Sequence, residues 1–230
     1  MKKALYERLK AVTAAGASAA TVTRLTDGAQ SLFDGERWEG ALDLSEAQKA
    51  AARRMLVSDK SGNLPEAEDL FVRSYARPPR LIVVGAAHIS QFLAPMAALA
   101  GFEVVVIDPR RAFAASERFP GVTLIDAWPD EAFEKLNLDA TSAVVTLTHD
   151  PKIDDPALVA ALKSPVFYVG ALGSRRTHAK RIDRLKEAGL ADKVGRIHAP
   201  VGLDLGGRAP REIAVSILAQ VVQVRYRGEA

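Results

Sequence analysis

The sequence predicts an α/β protein, a mostly parallel sheet with helices on both faces, preceded by a small α+β domain. Three observations predict it. From Leu81 onward, short apolar runs alternate with stretches of helical spacing; the runs are apolar residue after residue, as in strands buried on both faces; and glycine-bearing turns follow several of them. With 230 residues, 48% of them apolar, the chain can form one large domain or an ordinary domain plus a small one.

In the first segment an amphipathic helix is expected over residues 3–15. TVTRLTDGAQSLFDG then reads as two short strands around the Asp27-Gly28 turn. A helix over 44–57, with Ser45 as its N-cap, stops before Lys60-Ser61-Gly62-Asn63, and EDLFVRSYA reads as another strand. Arg77-Pro78-Pro79-Arg80 is a stiff connector, because neither proline can continue a helix or a ladder, so the domains are expected at 1–77 and 78–230.

Beyond the connector, LIVVG is the first buried strand, followed by a helix over 88–99 that Gly101 ends. EVVVIDPR is the second strand, VTLID the third and SAVVTLTHD the fourth. A helix over 156–162 leads to a fifth strand in PVFYVGALGS, then to a helix that begins near Arg175 and ends before Gly189. GRIHAP is a weak sixth strand. The last helix starts at Pro210, a residue suited to the first helical position, and Ile213, Ala214, Ile217, Leu218, Val221 and Val222 give it one apolar face.

Composition narrows the function. The 31 basic and 28 acidic residues are interspersed and leave a formal charge of +3, which suits local anion sites and argues against a nucleic-acid face. There is no cysteine, so disulfides, thiolate catalysis and sulfur-ligated metals are excluded. Tyr6, Glu7, Arg8 and Lys10 interrupt any signal-peptide core, and no apolar run reaches membrane-span length, so a soluble cytoplasmic protein is expected. Four histidines without tight spacing give no expectation of a protein-only metal site, and His198, inside a strand, reads as structural.

In open α/β sheets ligands bind beyond the carboxyl ends of the strands, where strand order reverses. After the first strand stands Gly85-Ala86-Ala87-His88-Ile89-Ser90, a glycine fingerprint that keeps only its first glycine. Asp108 follows Gly85 by 23 residues, the spacing of an acid that holds ribose hydroxyls, while Arg110 and Arg111 suit a phosphate. The other reading is a sheet that keeps this geometry without the cofactor. The fourth strand ends in His149-Asp150-Pro151, which should face the His88 turn across the crevice. His149 could carry a proton or an anion with Asp150 orienting it, or Asp150 could simply cap the next turn.

After the fifth strand, Gly173-Ser174-Arg175-Arg176 opens a helix whose free N–H groups and two guanidinium groups would cradle an anion; its plain alternative is a Ser174 cap beside solvated arginines. The glycine-rich loop that carries Asp204 fits either close approach to a ligand or partner, or a long turn.

Taken together, VVGAAHIS, VIDPR, ERFPG, LTHDPKIDDPAL, FYVGALGSRRTHAKR and APVGLDLGGRAPREIAVSILA, in that order, resemble the Rossmann domain of the XdhC/CoxI family over residues 78–226. The resemblance implies a Rossmann-like sheet and an accessory protein that binds molybdenum cofactor, as molybdopterin or its dinucleotide, guards it and delivers it to xanthine dehydrogenase or a carbon monoxide dehydrogenase type hydroxylase. It also implies a homodimer and, since the family's cysteine-bearing N-terminal motif has no counterpart here, either a short form that works beside a full-length paralogue or one whose task is confined to the nucleotide-like half. Thiolate ligation of molybdenum is accordingly excluded. The competing reading is an NAD(P)-dependent oxidoreductase, which the fold permits but for which no catalytic tyrosine and lysine pair at helical spacing is present.

Overall fold

The computed structural model describes residues 2–110 and 116–227. It divides into two compact units, Met1–Arg77 and Pro78–Ala230.

The first unit runs α1 (Lys3–Ala14), β1 (Ala19–Arg24), β2 (Gln30–Phe33), β3 (Trp38–Gly40), α2 (Glu46–Val57), β4 (Gly62–Leu64) and β5 (Ala67–Tyr75). Its antiparallel sheet has the order β3-β2-β1-β5-β4. Because side chains alternate along a strand, the sheet serves two helices. Ala20, Val22, Phe33 and Val72 pack with Ala52 and Leu56 of α2, whereas Ala19 and Leu32 pack with Leu5, Leu9 and Val12 of α1. Helix α2 begins with a complete capping box between Ser45 and Gln48. Strands β3 and β4 go beyond the sequence expectation: each is three residues long and contains a glycine, too short for any alternation to register.

The second unit runs β6 (Arg80–Val84), α3 (His88–Leu99), β7 (Glu103–Ile107), β8 (Thr123–Ile125), α4 (Pro129–Leu136), β9 (Ser142–Thr146), α5 (Pro151–Lys163), β10 (Tyr168–Ala171), α6 (Arg175–Glu187), β11 (Ile197–His198) and α7 (Pro210–Arg227). The six strands are parallel in the order β11-β10-β9-β6-β7-β8, so the order in which strands are added reverses between β6 and β9, the switch point of a doubly wound sheet. Alternation again assigns the faces. Leu81, Val83, Val106 and Val145 pack with α3 and α7, while Ile82, Val84, Ile107 and Val144 pack with α4, α5 and α6.

Two expectations need correction. Helix α5 starts at Pro151, not at residue 156: Asp150 caps it by accepting from the Lys152 N–H at 2.9 Å, and Pro156 sits inside the helix at the expense of one backbone bond. Helix α4 stands where no helix is expected, although Pro129 at its start and the left-handed Asn137 at its end (φ 52°) are sequence signals for one.

Candidate functional site

The register brings the ends of β6, β7 and β9 level, with Val84 opposite both Ile107 and Thr146. Gly85, Asp108 and the 147–150 segment therefore meet at one edge. Gly85 has φ +111°, and a Cβ there would lie 2.6 Å from the Thr148 methyl group, so the first turn presses directly on the end of β9. Ser90, at the fingerprint's third position, is fully buried and donates to the Gly85 carbonyl at 2.6 Å and the Ala87 carbonyl at 2.8 Å. Ala86 is buried, and His88 opens α3 on the surface with its ring 5.7 Å from Phe92.

Asp108 is fully buried beneath this turn. Its Oδ1 accepts from the Arg110 N–H and Nε, both at 2.9 Å, and its Oδ2 accepts from the Ala86 N–H and Arg110 Nη2, both at 2.8 Å. A carboxylate has about four acceptor positions, and protein donors fill four here. Burial pushes this group upward, but the hydrogen bonds from Arg110 and Ala86 outweigh it and hold the carboxyl below its ordinary range. Asp108 thus orients Arg110 and the glycine turn. The same hydrogen bond raises the pKa of Arg110, and the charges of Asp150 and Asp154 across the crevice add to the effect. Arg111 lies outside the described residues.

His149 is exposed and left-handed, with φ +61°, a conformation that needs a local reason in a non-glycine residue. Thr148 supplies part of it by accepting the Asp150 N–H at 3.0 Å, which tightens the turn under His149. Asp150 itself caps α5, the plainer of its two expected roles.

One strand further out, Gly173 (φ +137°) turns the chain into α6. Ser174 caps that helix through the Thr177 N–H at 3.1 Å. The caps leave the earliest N–H groups to solvent, beside exposed Arg175 and Arg176, neither of which makes an ion pair among the described residues. Two cations at the positive end of a helix macrodipole are unfavourable by about 0.3–1 kcal/mol each. An anion there relieves both. Asp204 stands in an exposed loop, and its carboxylate bonds the Gly206 N–H at 3.3 Å, closing a local turn.

Beneath the edge lies a cluster that the sequence reading missed. Asp154 and Arg181 are 1% and 2% exposed, with 3.6 Å between carboxylate and guanidinium. Asp154 Oδ1 accepts from the Thr148 hydroxyl at 2.6 Å, and Arg181 Nη2 donates to the Leu172 carbonyl at 2.9 Å. Burial pushes Asp154 up and Arg181 down, and it lowers nearby His178, whose Nδ1 is buried without a partner among the described residues. Charged residues inside helices read as solvent-facing in sequence, so nothing local marked these three. Tyr168 and Gln220 were missed as well: Tyr168 stacks on His198 at 4.7 Å, and Gln220 accepts from the Tyr168 hydroxyl at 2.6 Å and the Gly202 N–H at 2.8 Å, fixing the loop after β11 to α7.

Among the described residues no cluster of His, Asp and Glu is placed to hold a metal ion, and no helix is long and apolar enough to cross a membrane. The first unit has a concavity of about 700 Å³ lined by Lys2, Leu5, Asp27, Gln30 and Glu39 among others, with none of the expected site residues in it.

The family described as the XdhC Rossmann domain matches residues 81–221. The uncharacterized protein YqeB of Escherichia coli K12 is 35% identical over 162 residues, 69% of this chain and 30% of that protein. A protein of Bacillus subtilis 168 described as a probable xanthine dehydrogenase component is also 35% identical over 162 residues, 69% of this chain and 47% of its own length. The molybdenum cofactor insertion chaperone PaoD of E. coli K12 is 32% identical over 151 residues, 65% and 41% of the respective chains. The chain thus spans less than half the length of these curated relatives. A crystal structure described as a xanthine dehydrogenase from Bacillus halodurans superposes with a TM-score of 0.71 at 24% identity, over 99% of this chain and 64% of that one, a likeness of fold. With the strand order, the Gly85 turn and the match over residues 81–221 in agreement, the chain belongs to the XdhC Rossmann-domain family.

Proposed function

We propose that this protein is an accessory protein for molybdenum hydroxylases, binding molybdenum cofactor as cargo at the carboxyl edge of its parallel sheet and handing it to a xanthine dehydrogenase type enzyme. The observation that carries this reading is the start of α6, where Arg175 and Arg176 stand unpaired beside free helix N–H groups one strand from the switch point. This donor set fits a phosphate or pyrophosphate, the anionic part of molybdopterin and its dinucleotide form. The names of the relatives, a cofactor insertion chaperone and a xanthine dehydrogenase component, support the same role.

The nicotinamide alternative has less support. Its usual ribose-binding acid, Asp108, already accepts from Ala86 and Arg110 through both oxygens. Without a cysteine these residues offer no thiolate to molybdenum, so the proposed binding rests on the anionic part of the cofactor. Purification from a molybdenum-replete host, followed by mass spectrometry of released small molecules, tests the reading. A pterin is expected; a nicotinamide nucleotide recovered in place of any pterin would overturn it.

A further inference from the structure

Asp154 and Arg181 are too deeply buried to meet a ligand at the crevice surface, yet each holds one of its lips. On the first lip, residues 148–150, Asp154 Oδ1 accepts from the Thr148 hydroxyl at 2.6 Å and the Thr148 N–H at 3.4 Å. That hydroxyl accepts the Asp150 N–H and so sets the left-handed turn at His149. On the second lip, residues 172–174, Arg181 reaches back from the second turn of α6 to the Leu172 carbonyl, directly ahead of the Gly173 turn. Between the lips the carboxylate and guanidinium are 3.6 Å apart, within ion-pair range and outside hydrogen-bond range. Asp154 Oδ2 and Arg181 Nε and Nη1 are buried with no hydrogen-bond partner among the described residues.

A charge in so dry a place depends on the one it faces. When one lip moves, its buried charge moves with it, and the other charge must follow or stand uncompensated. The surface clamp of Arg184 on Asp155, with bonds of 2.5 and 3.0 Å, already fastens α5 to α6, so joining the helices does not account for the buried pair.

We propose that Asp154 and Arg181 are positioning residues that couple the lip at 148–150 to the lip at 172–174, so that the turn presenting Arg175 and Arg176 is held in place from the His149 turn. The link to an anion rests on the function proposed above; the coupling of the lips does not.

Hydrogen exchange by mass spectrometry on the full chain tests the coupling, with Thr148→Val, which keeps the side-chain shape and removes only the hydroxyl, and Arg181→Lys. Coupling predicts crossed effects. Thr148→Val should speed exchange at 172–174 and Arg181→Lys at 148–150, each by about three- to tenfold, the change expected for one hydrogen bond, with β7 unchanged. If each substitution affects only the lip it bonds, the proposal is overturned, and Thr148→Val decides alone if Arg181→Lys does not fold. Pyrophosphate titration separates the two readings. Thr148→Val should weaken pyrophosphate binding by about two- to fivefold, whereas Arg175→Ala with Arg176→Ala should abolish it and leave exchange at 148–150 unaltered. A wild-type protein that does not bind pyrophosphate would remove the anion reading, and the exchange result would still decide the coupling.

Discussion

Asp34, at the end of β2, accepts from the N–H groups of Glu36 and Arg37 and from the Arg8 guanidinium, which joins α1 to the sheet. Those bonds hold its pKa well below the ordinary carboxylate range, the Arg37 N–H contributing most. A depressed folded pKa stabilises the protein above the unfolded value, about 3.9, and the contribution is lost as pH falls through the folded value. Asp34→Asn should therefore lower stability by about 2 kcal/mol at pH 7, with the gap to wild type constant above about pH 5, narrowing as pH falls below the unfolded value of about 3.9 and still partly present at about pH 2; urea midpoints measured from pH 2 to 7 check this. The Asp154 and Arg181 pair calls for a different expectation, because burial disfavours both charges. Arg181→Met alone leaves a buried carboxylate facing nothing and should cost about 3–5 kcal/mol, while Asp154→Leu combined with Arg181→Met should cost far less or nothing. Denaturant unfolding of single and double variants tells these apart.

At the scale of elements, the capping box of α2 and the Gly85 turn give the clearest tests. Ser45→Ala removes a cap whose side chain and backbone both bond Gln48 and should lower stability by about 1 kcal/mol. Gly85→Ala forces a Cβ against Thr148 at a positive φ, and should lower the melting temperature and disturb the edge where β6 meets β9. Elements were legible in the sequence where burial imposed a pattern. Strands β6, β7 and β9 are covered on both faces and so carry unbroken apolar runs, Leu81–Val84, Val104–Ile107 and Ala143–Val145, and α7 carries its core face at regular helical spacing. Strands β3 and β4 were illegible because three residues hold no period. Legibility at the site divided in the same way: turn residues such as Gly85, Asp108 and Arg175 follow strands and could be found, whereas Asp154 and Arg181 acquire meaning only when α5 and α6 pack and bring them within 3.6 Å. For Asp108 the spacing revealed a position and hid a role, since Arg110 two residues on is what fills its carboxylate.

For the molecule as a whole, the parallel sheet reverses between β6 and β9, and every loop proposed to take part in binding leaves the same edge of it. At the first turn, where dinucleotide folds of this order usually bind, Ser90 is spent on the Gly85 and Ala87 carbonyls and the carboxylate of Asp108 is filled by Ala86 and Arg110; exposed cations stand instead at Arg175 and Arg176. The proposed site suits a phosphate-bearing cargo that must be released, since exposed arginines on a helix start can bind anions while water still reaches them. The most direct measurement is a calorimetric titration of the protein and of its Arg175→Ala, Arg176→Ala variant with molybdopterin dinucleotide and, separately, with NAD at fixed salt. Binding of the pterin to the wild type is expected, weakened by about 1.5–3 kcal/mol for each charged hydrogen bond lost in the variant, with NAD binding much more weakly. Equal pterin affinity in the two proteins, or a preference for NAD, would contradict a cargo site at the start of α6.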